Sequence, residues 1–76
     1  MKNQVLKIMA DVFKIDINEM LGEIKPGIIE QWDSMRHLLL IVKLEEEFLI
    51  RFTDNELIGL KDLDSIIETV TNKLKQ

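Results

Sequence analysis

The chain has 76 residues, of which 46% are hydrophobic and only 5% aromatic, and it carries a formal net charge of -4 with no cysteine. This length fits one small domain, residues 1–76, and the lack of cysteine excludes disulfides and thiolate metal sites. Since no apolar run approaches the roughly 20 residues of a membrane span and no signal-peptide block follows Met1, we expect a soluble, cytoplasmic protein.

Acidic residues are concentrated in the second half of the chain. Residues 45–68 hold eight of them, against only Arg51 and Lys61. Such a surface repels the phosphates of nucleic acid and attracts a protein surface rich in Lys and Arg. We therefore expect protein partners and no nucleic acid. A solvated acidic face that only keeps the domain soluble is the alternative.

The first predicted element is an amphipathic helix over about residues 3–14, with Asn3 as its N-cap. Its apolar side chains recur at spacings of three and four residues, which is the period of one helix face: Val5, Leu6, Met9, Val12 and Phe13. Turn-forming residues then predict a long loop over residues 16–32. We expect this loop to be ordered by side chains that pack against the helices: Ile17, Leu21, Ile24, Ile28 and Ile29.

The best-defined helix is predicted over residues 34–48, which contain no Gly or Pro, with Asp33 as its N-cap. At about 100° per residue its apolar side chains fall on two arcs. One arc holds Leu40, Ile41, Leu44 and Phe48, and the other holds Met35, Leu38, Leu39 and Val42. Either the second arc is left partly free for a partner or ligand, or the helix is buried on both sides.

Two further helices complete the chain. Thr53 and Glu56 have the spacing of a capping box and start a short third helix over about residues 54–60. Asp62 caps a last helix, whose apolar stripe is formed by Leu63, Ile66, Ile67, Val70 and Leu74. The predicted fold class is all-α: a small four-helix bundle of three longer helices and a short third one, with the long loop between helices one and two.

Three segments of the chain, residues 33–35, 44–48 and 52–54, together resemble segments of acyl carrier proteins. Residues 33–35, Asp-Ser-Met, resemble the Asp-Ser-Leu signature of that family. In the family an apolar helix starts at the signature serine and ends in an acidic segment similar to residues 44–48, Leu-Glu-Glu-Glu-Phe. Residues 52–54, Phe-Thr-Asp, resemble the Ile-Pro-Asp stretch that opens the family's short third helix. The likeness covers nearly the whole chain in length and in the order of elements.

The resemblance implies a bundle of the acyl-carrier type that is a carrier and not an enzyme, with no catalytic residues and no metal. It implies that a phosphopantetheinyl transferase moves 4'-phosphopantetheine from coenzyme A to the Ser34 hydroxyl, with Asp33 as a supporting residue. An acyl or aminoacyl cargo is then carried as a thioester on the thiol of this arm. The physical setting agrees, because unpaired N–H groups at a helix N-terminus favour a nearby phosphate.

Partner enzymes are expected to dock on the second helix. The resemblance implies that they are an acyl- or aminoacyl-activating ligase and acyltransferase or synthase enzymes. The predicted docking residues combine an apolar face with acidic side chains at its far end: Met35, Arg36, Leu39, Val42, Glu45, Glu46 and Glu47. A monomer is expected, since a carrier must visit several enzymes.

The residues that flank the signature depart from the common fatty-acid pattern. Glu30-Gln31 replaces the familiar Leu-Gly, Trp32 stands where a small residue is usual, and Arg36-His37 makes this end of the helix less acidic. These departures indicate a specialised carrier more than the housekeeping carrier of fatty acid biosynthesis. Trp32 is either a core anchor or a partner contact.

Three alternatives remain at the level of sequence. An aminoacyl carrier of the D-alanyl or peptidyl type shares the serine, although the chain lacks the Gly-Gly pair that often precedes it in peptide-synthetase carriers. A non-carrier helical interaction module would use Met35, Leu39 and Val42 without any arm. A nucleophilic pair of Ser34 and His37 is a poor candidate, because the sequence identifies no orienting third group and no oxyanion site.

Overall fold

A computed structural model describes residues 1–20, 22 and 24–75, and over these ranges the fold is α-helical with no β-strand. Its helices are α1 (Lys2–Phe13), α2 (Ser34–Phe48), α3 (Asp54–Ile58) and α4 (Leu63–Leu74), with a short 3-10 helix at Ile17–Glu19. The predicted fold of three longer helices and a short third one is confirmed. Within the described ranges, no helix has both the length and the apolarity needed to cross a membrane.

Helix α1 begins earlier than the sequence predicts. Its N-cap position is Met1, which makes no side-chain cap hydrogen bond, and Asn3 lies inside the helix. The expected Asn3 cap is therefore wrong, because a capping side chain must precede the first helical residue and have an extended backbone. The helix ends where Lys14 adopts a left-handed conformation, with φ 60°, and donates its N–H to the carbonyl of Ala10.

Helix α2 has the bounds and the cap that the sequence predicts. Asp33 has an extended backbone, and its Oδ1 accepts a hydrogen bond of 2.8 Å from the N–H of Arg36. At the other end the backbone of Leu49 adopts a left-handed conformation, with φ 54°, and its N–H donates to the carbonyl of Glu45. Local side-chain chemistry thus fixes where α2 starts.

Helix α3 starts with the predicted capping box. Thr53 Oγ1 accepts from the N–H of Glu56 at 3.2 Å, and Glu56 Oε1 accepts from the N–H of Thr53 at 2.7 Å. Lys73 Nζ of α4 reaches the same Glu56 oxygen at 2.9 Å, which ties the two helices together. The helix ends at Ile58, two residues before the predicted limit, since Gly59 is its C-cap.

The core lies between α1, α2 and α4. Leu40 and Leu44 of α2 are fully buried there, together with side chains from both other helices: Val5, Met9, Phe13, Ile66 and Val70. On the opposite side of α2 the exposed fractions are high, at 74% for Met35, 65% for Leu38, 52% for Leu39 and 49% for Val42. Burial on both sides of α2 is thereby excluded.

The loop before α2 is packed against the bundle, as expected. Ile24 and Ile29 are buried, Ile17 is half-buried, and the carbonyl of Ile24 accepts a hydrogen bond of 2.8 Å from the N–H of Leu63. Ile28 is 57% exposed, so its expected burial is wrong. The turn at Lys25 explains this, because adjacent side chains of a tight turn point in different directions and only Ile29 faces the core. Leu21 lies outside the described residues.

Replacing Leu49 with glycine should stabilise the fold. A left-handed backbone crowds the β-carbon of any L-residue, whereas glycine adopts it freely, and Leu49 is 89% exposed and so has little packing to lose. We expect Leu49→Gly to raise the free energy of unfolding by about 0.5–1 kcal/mol in urea titrations. Leu49→Ala, which keeps the β-carbon, is the matched control and should show no such gain. Equal stability of the two variants would contradict the prediction.

Candidate functional site

Ser34 is the first residue of α2, and its side chain is exposed. No residue of the described ranges accepts a hydrogen bond from its hydroxyl or from the backbone N–H groups of Ser34 and Met35. These N–H groups belong to the orphan donors of the helix start, which also carries the positive end of the helix dipole. The structure therefore presents a free hydroxyl beside two free donors.

Asp33 supports this arrangement through both of its carboxylate oxygens. Oδ1 caps the helix at the N–H of Arg36, and Oδ2 lies 3.4 Å from Nη1 of the Arg36 side chain. Both side chains are well exposed, so the ion pair contributes about 1 kcal/mol or less. Its electrostatic effect is local: the Arg36 guanidinium offsets the negative charge that Asp33 places next to Ser34.

Trp32 connects the core to the start of α2. Its side chain is only 4% exposed, and its ring packs against Phe13 of α1 with a centroid separation of 5.3 Å. It also stacks on His37 at a centroid separation of 5.9 Å, and Trp32 Nε1 donates a hydrogen bond of 2.9 Å to His37 Nδ1. Trp32 is thus a core anchor and not an exposed partner contact. Partial burial lowers the pKa of His37, because it disfavours the charged imidazolium.

A surface groove of about 590 Å³ opens beside Ser34. Its lining brings together residues of the long loop, the start of α2 and the segment after α3: Pro26, Trp32, Asp33, Ser34, His37, Leu38 and Leu60. Pro26 and Leu60 are not among the site residues predicted from the sequence. Neither residue has a local signal for this role, since only the packing of the loop and of the α3–α4 connection brings them there.

The predicted docking residues differ in how they are placed. Met35, Leu39 and Val42 form an exposed apolar face with Leu38, which the sequence prediction left out of the docking set. Glu46 and Glu47 are exposed at the far end of α2.

Glu45 and Arg36 have contacts within the chain. Oε2 of the half-buried Glu45 accepts a hydrogen bond of 3.0 Å from the N–H of Phe52 and so holds the α2–α3 connection, whereas Arg36 pairs with Asp33. Their docking role stays a prediction.

A second Asp-Ser pair, Asp64-Ser65, lies in the first turn of α4. The Ser65 hydroxyl accepts from the N–H of Lys61 at 2.9 Å and from that of Asp62 at 3.0 Å, and it donates to the carbonyl of Asp62 at 3.0 Å. Asp62 in return caps the N–H of Ser65. Of the two serines in the chain, only Ser34 offers an uncommitted hydroxyl among the described residues.

Similarity to a known protein identifies the family of the chain. No family model matches the chain. Over 73 residues the chain is 30% identical to the polyketide-8 synthase acyl carrier protein 2 of Streptomyces avermitilis, in an alignment that covers 96% of this chain and 84% of that protein. The chain belongs to the acyl carrier protein family. The cofactor predicted from the sequence, a covalent 4'-phosphopantetheine, is the cofactor of this family.

The start of α2 in this acyl carrier protein fits such a group. The exposed Ser34 hydroxyl can form a phosphodiester, and the free N–H groups of Ser34 and Met35 suit phosphate oxygens. Pairing with Arg36 reduces the repulsion that Asp33 would exert on the phosphate. When bound, the group supplies a thiol that holds an acyl chain as a thioester.

Acid should weaken the fold of the carrier through His37. Because the pKa of folded His37 is lowered below 6.5, the unfolded state takes up a proton first as the pH falls. The stabilising effect of a neutral His37 is therefore complete above the pKa that His37 has in the unfolded state. It is lost as the pH falls through the lower pKa that His37 has in the folded state. Urea unfolding between about pH 7.5 and about pH 5 should show this decline.

The variant His37→Gln is the control for this titration, because an amide oxygen can accept from Trp32 but does not titrate. Its stability should stay level over the same interval. The pKa values of Glu56 and Asp62 are also lowered, each mainly by a hydrogen bond from a backbone N–H of its capping box. The stability that these two carboxylates contribute is lost mainly below their ordinary pKa values of 4.5 and 3.8, which is below the interval of this titration. Equal acid sensitivity of wild type and His37→Gln would refute the assignment to His37.

Proposed function

We propose that this chain takes up 4'-phosphopantetheine on Ser34 and carries an acyl group as a thioester between enzymes of specialised metabolism, of the polyketide type. The observation that carries the proposal is the uncommitted Ser34 hydroxyl at the N-terminus of α2, in a chain of the acyl carrier family. The name of the Streptomyces relative supports the polyketide assignment.

Attachment needs little from the carrier itself. Ser34 Oγ forms a bond to the β-phosphorus of coenzyme A, the bond from that phosphorus to the nucleotide breaks, and the hydroxyl proton passes to a base of the transferase. Asp33 keeps Ser34 at the first helical position through its cap, and a transferase-bound cation that binds its second oxygen must displace Arg36 from the exposed ion pair there. The chemistry is thus supplied by the partner, and the carrier supplies an accessible hydroxyl.

Trp32 argues against catalysis by a Ser34–His37 pair. The indole N–H can only donate, so His37 Nδ1 must be the unprotonated nitrogen and Nε2 of the neutral ring carries the proton. A ring in this tautomer has no free lone pair with which to take the Ser34 proton. The domain is therefore proposed to act as a carrier once it is modified, and its unmodified form is proposed not to hydrolyse esters.

Intact mass tests the attachment site. Incubation with coenzyme A and a broad-specificity phosphopantetheinyl transferase should add the mass of one phosphopantetheine to the wild type. Ser34→Ala should add none, because the free hydroxyl is gone. Ser65→Ala is the matched control and should be modified, since the Ser65 hydroxyl is committed to the start of α4. A wild type that remains unmodified, or a Ser34→Ala variant that is modified, would overturn the proposal.

Loading of the modified carrier separates the kinds of cargo. An acyl carrier should form a thioester with organic acids supplied by an acyl-activating ligase or acyltransferase. A carrier of the D-alanyl or peptidyl type should form one only with amino acids. Intact mass of the loaded protein distinguishes these outcomes.

Docking is proposed to use the exposed side of α2. The apolar face of Met35, Leu38, Leu39 and Val42 leads toward the acidic Glu46 and Glu47. A complementary enzyme surface is apolar at its centre and has Lys or Arg at one end, which suits short-lived complexes. The acidic end then governs the rate of encounter, and the apolar face governs the lifetime of the complex.

A charge placed in the apolar face should impair docking. We expect Leu39→Glu to raise the KM of the phosphopantetheinyl transferase for the carrier about tenfold, with little change in kcat, because a carboxylate there must be desolvated. Leu49→Glu makes the same charge change at a more exposed leucine beyond the end of α2 and should leave KM near the wild-type value. Equal KM values for the two variants would contradict the docking surface.

A further inference from the structure

The contact between Trp32 and His37 defines the chemical state of the histidine. Trp32 Nε1 donates to His37 Nδ1 at 2.9 Å, the two rings stack, and the indole is held in place by Phe13. Because Nδ1 accepts this hydrogen bond, the neutral imidazole carries its proton on Nε2. His37 is therefore a hydrogen-bond donor through Nε2 without being a cation.

The position of His37 places its ring beside the site. His37 lies three residues after Ser34, so the two side chains share one face of α2, and helical side chains lean toward the N-terminus of their helix. Both residues line the groove of about 590 Å³ beside the attachment serine. An arm that starts at Ser34 and enters the groove passes His37 within its first few bonds.

The other residues that line the groove supply no competing donor side chain. Pro26, Leu38 and Leu60 are apolar, and Asp33 is an acceptor. Trp32 has one side-chain N–H, which His37 already accepts. The Ser34 hydroxyl is consumed by attachment. Within the described lining, this leaves Nε2 of His37 as the available side-chain donor.

We propose that His37 positions the phosphopantetheine arm by donating its Nε2–H to an acceptor oxygen of the arm at the mouth of the groove. The acceptor is either a phosphodiester oxygen or the carbonyl of the arm's first amide, both of which accept a hydrogen bond from a neutral imidazole. This inference rests on the attachment to Ser34 proposed above. It makes His37 a positioning residue, one that limits where the arm points and not how it reacts.

The pairing with Trp32 gives this donor a fixed orientation. A free histidine would exchange between two tautomers and rotate, whereas stacking and the Nδ1 hydrogen bond hold the ring of His37. Arg36 does not line the groove, and its guanidinium pairs with Asp33. Trp32 therefore has a second role besides core packing, because its hydrogen bond orients the His37 ring at the site.

Nuclear magnetic resonance of the modified protein tests the proposal. The ¹⁵N resonance of His37 Nε2 in the wild type should move between the unmodified and the modified protein, which requires no variant. His37→Phe removes the donor and should make the arm more mobile. This mobility should be seen as longer transverse ¹⁵N relaxation times of the labelled amides of the arm. His37→Gln, which can accept from Trp32 and donate from the same side chain, should restore part of the wild-type behaviour. Lys43→Gln, on α2 outside the groove lining, should change none of these signals.

Two further signals identify the acceptor. A phosphodiester acceptor predicts that the ³¹P resonance shifts in His37→Phe while the amide resonances stay in place. A carbonyl acceptor predicts the reverse. If the protein is modified but neither the His37 resonance nor the arm responds, this inference is overturned and the attachment to Ser34 stands. A chain that takes up no phosphopantetheine overturns both.

Discussion

The buried indole of Trp32 is the contact on which the arrangement of the site depends. It lies at the junction of the long loop and α2, and it packs against Phe13 of α1. A large aromatic side chain at this point fixes the position of the following residues, Asp33 and Ser34, relative to the core. Its N–H would be costly to bury without a partner, and His37 supplies that partner from the first turns of α2. Core packing and the local chemistry at Ser34 are thus connected through one residue.

Helix α2 combines two roles that oppose each other in a small protein. Leu40 and Leu44 provide core contacts that the domain needs for stability, since 76 residues bury only a modest core. The opposite face leaves apolar side chains in water, an arrangement that in soluble domains marks an interaction surface. Exposed acidic residues at the end of the same helix, Glu46 and Glu47, make one end of this face charged and leave the other end apolar. A moderately apolar, charged surface of this kind suits the docking proposed above.

Local hydrogen bonding explains which expectations from the sequence were correct. The caps at Asp33, Thr53 and Asp62 were predicted because each depends on residues within one turn of the chain. Asn3 failed as a cap because the α1 backbone is already helical at Lys2. Ile28 failed as a core residue because the turn before it, and not its hydrophobicity, decides which way the side chain faces.

The sequence by itself determined the helix bounds of α2, the start of α4, the two apolar arcs and the Asp33-Ser34 pair, because periodicity and capping act over a few residues. Only the tertiary structure decided which arc faces the core, that Trp32 donates to His37, and that Glu45 supports the α2–α3 connection. It also brought Pro26 and Leu60 to the groove beside Ser34. Pro26 and Leu60 come from segments that are separated along the chain. The Trp32–His37 and Phe52–Glu45 hydrogen bonds are short in sequence, but each crosses an end of α2. All of these features therefore depend on how the loops return and on which surfaces pack together.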